Sequence, residues 1–369
     1  MDAHPSVQDV KWDLVMHYLA PIAAYFEDSG VTDIYVNRYD QVYVERHGQF
    51  ERAGARWDCE AALVTTIEQI ANALAQPVHR ESQPMLDARL PDGSRINAVL
   101  SPTAVTGSNM TIRLFPKAGF SAEALVRAGS FAPLMLDFIE LATRCRYNVL
   151  IAGGTGSGKT TLLNAIANLG PYEDRVITIE DTAELKIMKS QVVSLEAPRR
   201  QGAAQEITMG KLLENVLRMK PRRILVGEVR DPVAATTLLY ALNTGHQGVM
   251  ATIHANSGRE ALSRLDVLIA ANESRIPFDA IREQVRGSFD LVIHAADTPL
   301  DGKRVVEMLE IEDGELHRLW RWNRERQRHE AVHSRTPKLY RVAHEYGLPV
   351  SFLNPPGVRG GAADDGGSK

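Results

Sequence analysis

The chain is poor in the features that mark exported, disulfide-built or membrane-spanning proteins. Its 369 residues include only two cysteines, Cys59 and Cys145. Two cannot build a disulfide framework, and neither has CxxC or metal-ligand spacing, which fits a reducing compartment. Both read as small buried or half-buried side chains. The opening stretch MDAHPSVQDVKWDLV is polar and acidic, where an export signal is basic and then apolar, so no export is expected. An excess of positive charge is also missing. With 42 Lys and Arg against 46 Asp and Glu the formal charge is −4, so a dedicated nucleic-acid binder is not indicated and any anionic partner must meet a local patch. Residues 232–258 hold no Asp, Glu, Lys or Arg, yet they include Asn243, His246, Gln247, His254 and Asn256. That run is too polar for a membrane span and suits a buried helix, loop and strand near a ligand.

What is present is ordinary globular material, 44% hydrophobic and 24% charged, in a chain long enough for two or three domains. Residues 1–28 read as an acidic amphipathic helix. VTDIYVN and QVYVER follow as a hairpin, then a helix at 59–76, then three strands in MLDARL, SRINAVL and NMTIRL. This predicts an N-terminal extension (1–29) and a small α+β domain (30–115). Phe115-Pro116-Lys117-Ala118-Gly119 opens a linker (116–130), where the strand pattern changes to helices at about 121–128 and 131–143. From 131 to 345 the pattern alternates, with strands YNVLIAG, RVITIE, RRILVG and GVMATIH separated by helical or loop segments, the mark of a largely parallel sheet covered on both faces. The Gly-, Pro- and Asp-rich end (346–369) reads as a flexible tail.

Gly153-Gly154-Thr155-Gly156-Ser157-Gly158-Lys159-Thr160 fits the P-loop pattern, after an apolar strand and before the helical TLLNAIANL. Glycines let the loop amides face phosphate oxygens, Lys159 brings a cation to the β and γ phosphates, and Thr160, followed by Thr161, offers a hydroxyl to Mg²⁺. RILVGE ends in Glu228, where a carboxylate can polarise the attacking water; a salt-bridging or capping role is the plain alternative. Glu180, Asp181 and Glu184 crowd the end of the preceding strand and would repel one another unless a cation such as Mg²⁺ were held there; a solvated acidic loop is the alternative. His254, at the end of GVMATIH, would lie on the same sheet edge, within reach of a γ phosphate, although single histidines, His246 included, are more often structural. No N/TKxD guanine-reading motif is found, which favours ATP over GTP.

GGTGSGKTTLLNA, TIEDTAEL, LRMKPRRILVGEVRD and NTGHQGVMATIHANS, in that order, resemble the Walker A, Asp box, Walker B and His box of the type II/type IV secretion ATPase superfamily. Within it the chain is most similar to CpaF-type ATPases of tight-adherence (Flp) pili, with TrbB-type conjugative ATPases close. VTDIYVN, QVYVERHG, MLDARLPDGSRIN and TIRLF extend the likeness, which covers residues 30–310. The resemblance implies a RecA-like P-loop motor domain behind a smaller α+β domain. It also implies a cytoplasmic homohexameric ring acting on an inner-membrane pilus or secretion platform. Arg95 and Arg113, with Arg89 weaker, would then reach nucleotide from the N-terminal domain; their alternative is surface salt-bridging. Glu180, Asp181 and Glu184 would shape the metal and water site, and His254 would sense the γ phosphate. Beyond residue 315 the likeness fades into HRLWRWNRERQRHE. There Arg318, Arg321, Arg324, Arg326 and Arg328 surround Trp320 and Trp322, which reads as a contact for anionic lipid or nucleic acid, or as a solvated helix face. A nucleic-acid translocase is compatible with a RecA-like core, but the acidic balance argues against nucleic acid as a partner.

Overall fold

A computed structural model describes residues 7–46, 48–115, 121–197, 207–298, 300–332 and 338–349. Its internal contacts divide the chain into two units, residues 1–118 and 119–369.

In the first unit the expected single N-terminal helix is broken. Pro21 has no N–H to donate and its ring crowds the preceding turn. The chain therefore forms α1 (Val7–Tyr18), one 3-10 turn (Ala20–Ile22) and α2 (Ala23–Glu27). Val15, Leu19, Ile22 and Phe26 are buried with the sheet residues, so this stretch belongs to the unit's core instead of extending from it. β1 (Val31–Arg38) and β2 (Gln41–Arg46) make the expected hairpin, but β3 (Gln49–Arg52) adds a third strand. All four β3 residues are exposed, so no alternation of apolar side chains announces it. After α3 (Glu60–Ala73) come β4 (Met85–Arg89), β5 (Arg95–Val99) and β6 (Asn109–Arg113). The antiparallel sheet runs β3-β2-β1-β6-β5-β4. One face buries Ile34, Val36, Leu86, Ile96 and Ile112 with Leu63, Ile67 and Ile70 of α3. The other face is largely polar, and there the register sets Arg89 opposite Arg95, Arg95 opposite Arg113, and Arg113 opposite Asp33.

The second unit begins earlier than the alternating pattern suggests. α4 (Ala122–Arg127) falls within the stretch expected as linker, yet Ala122 and Leu125 are buried with α5 (Pro133–Arg144). Linker residues 116–120 lie outside the described residues. Next come β7 (Val149–Gly153), α6 (Lys159–Leu169), β8 (Arg175–Glu180) and β9 (Gln191–Glu196). α7 (Met209–Val216), β10 (Arg223–Val226), α8 (Pro232–Asn243), β11 (Met250–His254), α9 (Gly258–Asn272) and α10 (Phe278–Ser288) follow. β12 (Leu291–Thr298), β13 (Gly302–Glu312), β14 (Glu315–Asn323), β15 (Arg328–Ala331) and α11 (Lys338–Glu345) complete the unit.

Among the described residues the sheet order is β15-β14-β13-β12-β7-β11-β10-β8-β9. The strands from β12 to β9 are parallel, and β13 to β15 are antiparallel additions. β7 and β10 are buried at every position, as a two-sided parallel sheet requires. β9, an edge strand of partly exposed residues, was not expected. α11 is held by buried Glu310, which accepts the backbone N–H of Lys338 at 2.7 Å and of Leu339 at 2.9 Å. Tail residues 350–369 lie outside the described residues.

The Arg- and Trp-rich segment is a β-hairpin, which replaces the solvated helix face. Arg318 pairs with Glu307 (2.6 Å), Arg324 with Asp301 (3.1 Å), and Arg321, Arg326 and Arg328 all with Glu330 (3.4, 3.0 and 3.7 Å). Trp320 is buried edge-on against Phe138, and the Arg304 guanidinium lies 4.5 Å from the Trp322 ring. These five cations share three carboxylates, Glu307, Asp301 and Glu330, on the exposed face of the hairpin.

Candidate functional site

In a parallel sheet the carboxyl ends of the strands share one edge, where ligands of such folds bind. β7 delivers Gly153 to that edge beside β11 and β12. A Cβ on Gly153 would stand 2.4 Å from both the Ala295 carbonyl and Ser157 Oγ, so only glycine fits there. Gly156 (φ +76) and Gly158 (φ +88) occupy the left-handed region, and Gly158 caps α6. The chain thus curls into the N-terminus of α6, where backbone amides and the helix dipole favour an anion. Ser157 Oγ donates to the Gly154 carbonyl at 2.9 Å and ties the curl together. Thr155 is exposed, while Thr160 and Thr161 are half-buried in the first turn of α6.

Lys159 is 8% exposed. Its ammonium donates to the Gly154 carbonyl at 2.7 Å and lies 3.4 Å from His254 Nδ1. Burial pushes its pKa below the ordinary lysine value and nearby Glu228 pulls it back up. His254 Nε2 is 2.8 Å from Glu228 Oε1. An ammonium can only donate, so Nδ1 accepts and Nε2–H donates to the carboxylate. Residues from α6, β11 and the end of β10 therefore form one chain, Lys159, His254, Glu228, at the mouth of the loop. The expected proximity of these three is present.

The acid cluster is arranged differently. Glu180 is 2% exposed, and its Oε1 accepts the backbone N–H groups of Glu184 (2.9 Å) and Leu185 (3.0 Å). Asp181 pairs with Arg230 at 2.6 Å, and Glu196 Oε2 accepts the Ala183 N–H at 3.2 Å. Amides thus satisfy one oxygen of Glu180 and Arg230 balances Asp181, while Glu184 enters this arrangement through its backbone N–H. No group of three His, Cys, Asp or Glu suited to a metal occurs among the described residues. Thr160, beside Lys159 in the opening turn of α6, still fits an Mg²⁺ that arrives on phosphate oxygens.

Three further groups were not singled out from sequence. Arg230 is recognisable only once β8 and β10 are neighbours. Lys303, at the start of β13, brings its Cδ to 3.8 Å from where a Gly158 Cβ would be. Arg264 of α9 lines a cavity beside Gly154 and Thr155. In the first unit Arg95 is half-buried, Arg113 is exposed with its Nε 3.2 Å from Asp33 Oδ1, and Arg89 lies over the Phe115 ring.

Among the described residues no helix is long and apolar enough to cross a membrane. A probable conjugal transfer protein TrbB of Sinorhizobium fredii is 35% identical over 289 residues, covering 78% of this chain and 85% of the relative. A type IV secretion system protein VirB11 of Bartonella quintana is 31% identical over 328 residues, covering 79% and 90%. The X-ray structure of the ATPase DotB from Legionella pneumophila superposes with a TM-score of 0.58 at 22% identity, covering 80% of this chain and 81% of that one, a likeness of fold. The fold is a RecA-like P-loop unit that follows a smaller α+β unit in the chain. Residues 16–296 match the family described as type II/IV secretion system protein, and the chain belongs to that family.

Proposed function

We propose that the chain is a motor that hydrolyses ATP to ADP and phosphate. The observation that carries this reading is the Lys159–His254–Glu228 chain at the mouth of a glycine loop that caps α6. Loop amides and Lys159 hold the phosphates, and Thr160 presents its hydroxyl to Mg²⁺. That ion, arriving with the nucleotide, supplies positive charge to the β and γ phosphates. Glu228 accepts the proton of the water whose oxygen attacks the γ phosphorus, while the β–γ bridging oxygen leaves with ADP. His254, donating from Nε2, fixes the carboxylate's orientation. Buried Glu180 holds the 184–185 backbone, and with it Glu184, at the edge of the site. Arg95 and Arg113 add positive charge at the transferred phosphoryl group.

In its setting the motor works as a homohexameric cytoplasmic ring on a membrane-embedded platform. The N-terminal strand motifs favour assembly of a tight-adherence pilus. The relatives named for conjugal transfer favour a conjugative secretion machine, and that observation supports this second reading to the same degree. Purified Lys159→Ala chain is expected to release no phosphate from ATP, because the loop then leaves phosphate charge uncompensated. Near-normal phosphate release from that variant would remove the P-loop assignment. A deletion strain separates the pathways, since loss of surface pili supports the first and loss of DNA transfer the second.

A further inference from the structure

We infer that Asp33 is a positioning residue that aims Arg113, an inference that rests on reading Arg113 as a cation for the transferred phosphoryl group. Among the described residues of the first unit, Asp33 is the one charged residue that is buried. A buried carboxylate is costly unless an opposite charge and hydrogen bonds compensate it. Its partner is Arg113, whose Nε donates to Asp33 Oδ1 at 3.2 Å. The two members of the pair differ, since the acid side chain is 13% exposed and that of the arginine 64%. The carboxylate is therefore the fixed member, and the guanidinium reaches outward from it.

Strand pairing fixes both ends of this tether. β1 and β6 set Asp33 directly opposite Arg113, and the ladder continues where the Leu114 N–H donates to the Thr32 carbonyl at 2.9 Å. Across the polar face of the sheet the register reads Arg89, Arg95, Arg113, Asp33, Glu45, so Asp33 is the carboxylate that adjoins the arginine row. Glu45, the next along, accepts the Tyr35 hydroxyl on Oε2 at 2.8 Å. Burial, that bond and the charge of Asp33 raise the Tyr35 pKa above the ordinary tyrosine value, which keeps its hydroxyl a donor. Glu45 is thereby drawn to Tyr35 and Asp33 to Arg113. A long arginine side chain loses rotamer freedom when it is held in one direction. Asp33 imposes that loss before ATP arrives, so that Arg113 meets the phosphoryl group already oriented.

Steady-state ATP hydrolysis and ADP titration of the full-length chain test this. Asp33→Asn, nearly isosteric but uncharged, is expected to lower kcat about tenfold or more. KM for ATP and affinity for ADP should stay within about twofold of wild type, because orientation serves the transition state and not ground-state binding. Asp33→Glu, which keeps the charge, should recover part of the lost kcat. In an Arg113→Ala background Asp33→Asn should change kcat by less than about twofold, since the tether then has nothing to aim. An equal fall of kcat in both backgrounds, or wild-type kcat in Asp33→Asn, would overturn the tether. Arg113→Ala separates the two layers. If it leaves kcat at the wild-type level, the phosphoryl reading of Arg113 has failed and the tether with it; if it lowers kcat while Asp33→Asn does not, only the tether has failed.

Discussion

At the scale of the residue, Gly227 shows how one position is set by a neighbour distant in sequence. It stands in the strand-end segment RILVGE, directly before Glu228. A Cβ there would meet Glu180 Cγ at 3.0 Å, so the side chain of β8 fills the space. Thr252 Oγ1 donates to the Gly227 carbonyl at 2.5 Å and holds the backbone from the other side. Gly227→Ala should displace Glu180 from the 184–185 amides and lower stability by ~1–3 kcal/mol, seen as a lower thermal midpoint together with reduced turnover. An unchanged midpoint and turnover would show that Glu180 moves aside freely. Glu228, His254 and Lys159 were legible because their motifs close strands of one parallel sheet. The commitments of Glu180 and Asp181 were not, since the amides and Arg230 that satisfy them come from other segments.

At the scale of the element, strands with both faces buried announced themselves as apolar runs, as in β7 and β10. β3 and β9 did not, because each is an edge strand with little or no buried side to pattern. α4, a six-residue helix that follows a Pro- and Gly-bearing stretch, forms within the helix expected at about 121–128. α9 carries a feature that its pattern also hides: Asp266 is 2% exposed and its Oδ1 has no hydrogen-bond partner among the described residues. Burial pushes its pKa up to about 6, with Arg286 and Arg282 pulling it down. An unfolded Asp titrates near 3.9, so both states carry the proton below about pH 4 and this group costs nothing there. As pH rises through 4 to 6 the unfolded chain gives up its proton first, and folding loses roughly 3 kcal/mol by pH 7. Asp266→Asn should therefore be more stable than wild type at pH 8, with an advantage that shrinks toward pH 4 in urea titrations. An advantage independent of pH would contradict this account.

At the scale of the whole molecule, the order of the motifs along the chain made two units and a parallel-sheet motor legible. Burial of α1, α2 and α4 depends on tertiary contacts, which the order of motifs does not carry. The row Arg89, Arg95, Arg113 needed strand register, which residue spacing alone does not supply. Arg95→Ala and Arg113→Ala are expected to cut turnover by about a thousandfold, the low end for an arginine stabilising transferred phosphoryl charge. Both variants should keep the wild-type thermal midpoint and ATP affinity. Turnover at wild-type level in both would confine these arginines to surface pairing. The central claim, that the second unit hydrolyses ATP with Glu228 as base, is tested most directly by comparing ATP binding and phosphate release in wild type and Glu228→Gln. The amide is nearly isosteric but cannot take a proton. The account predicts ATP affinity within about twofold of wild type and phosphate release lowered by about a hundredfold or more. A Glu228→Gln chain that still turns over within about tenfold of wild type would contradict it.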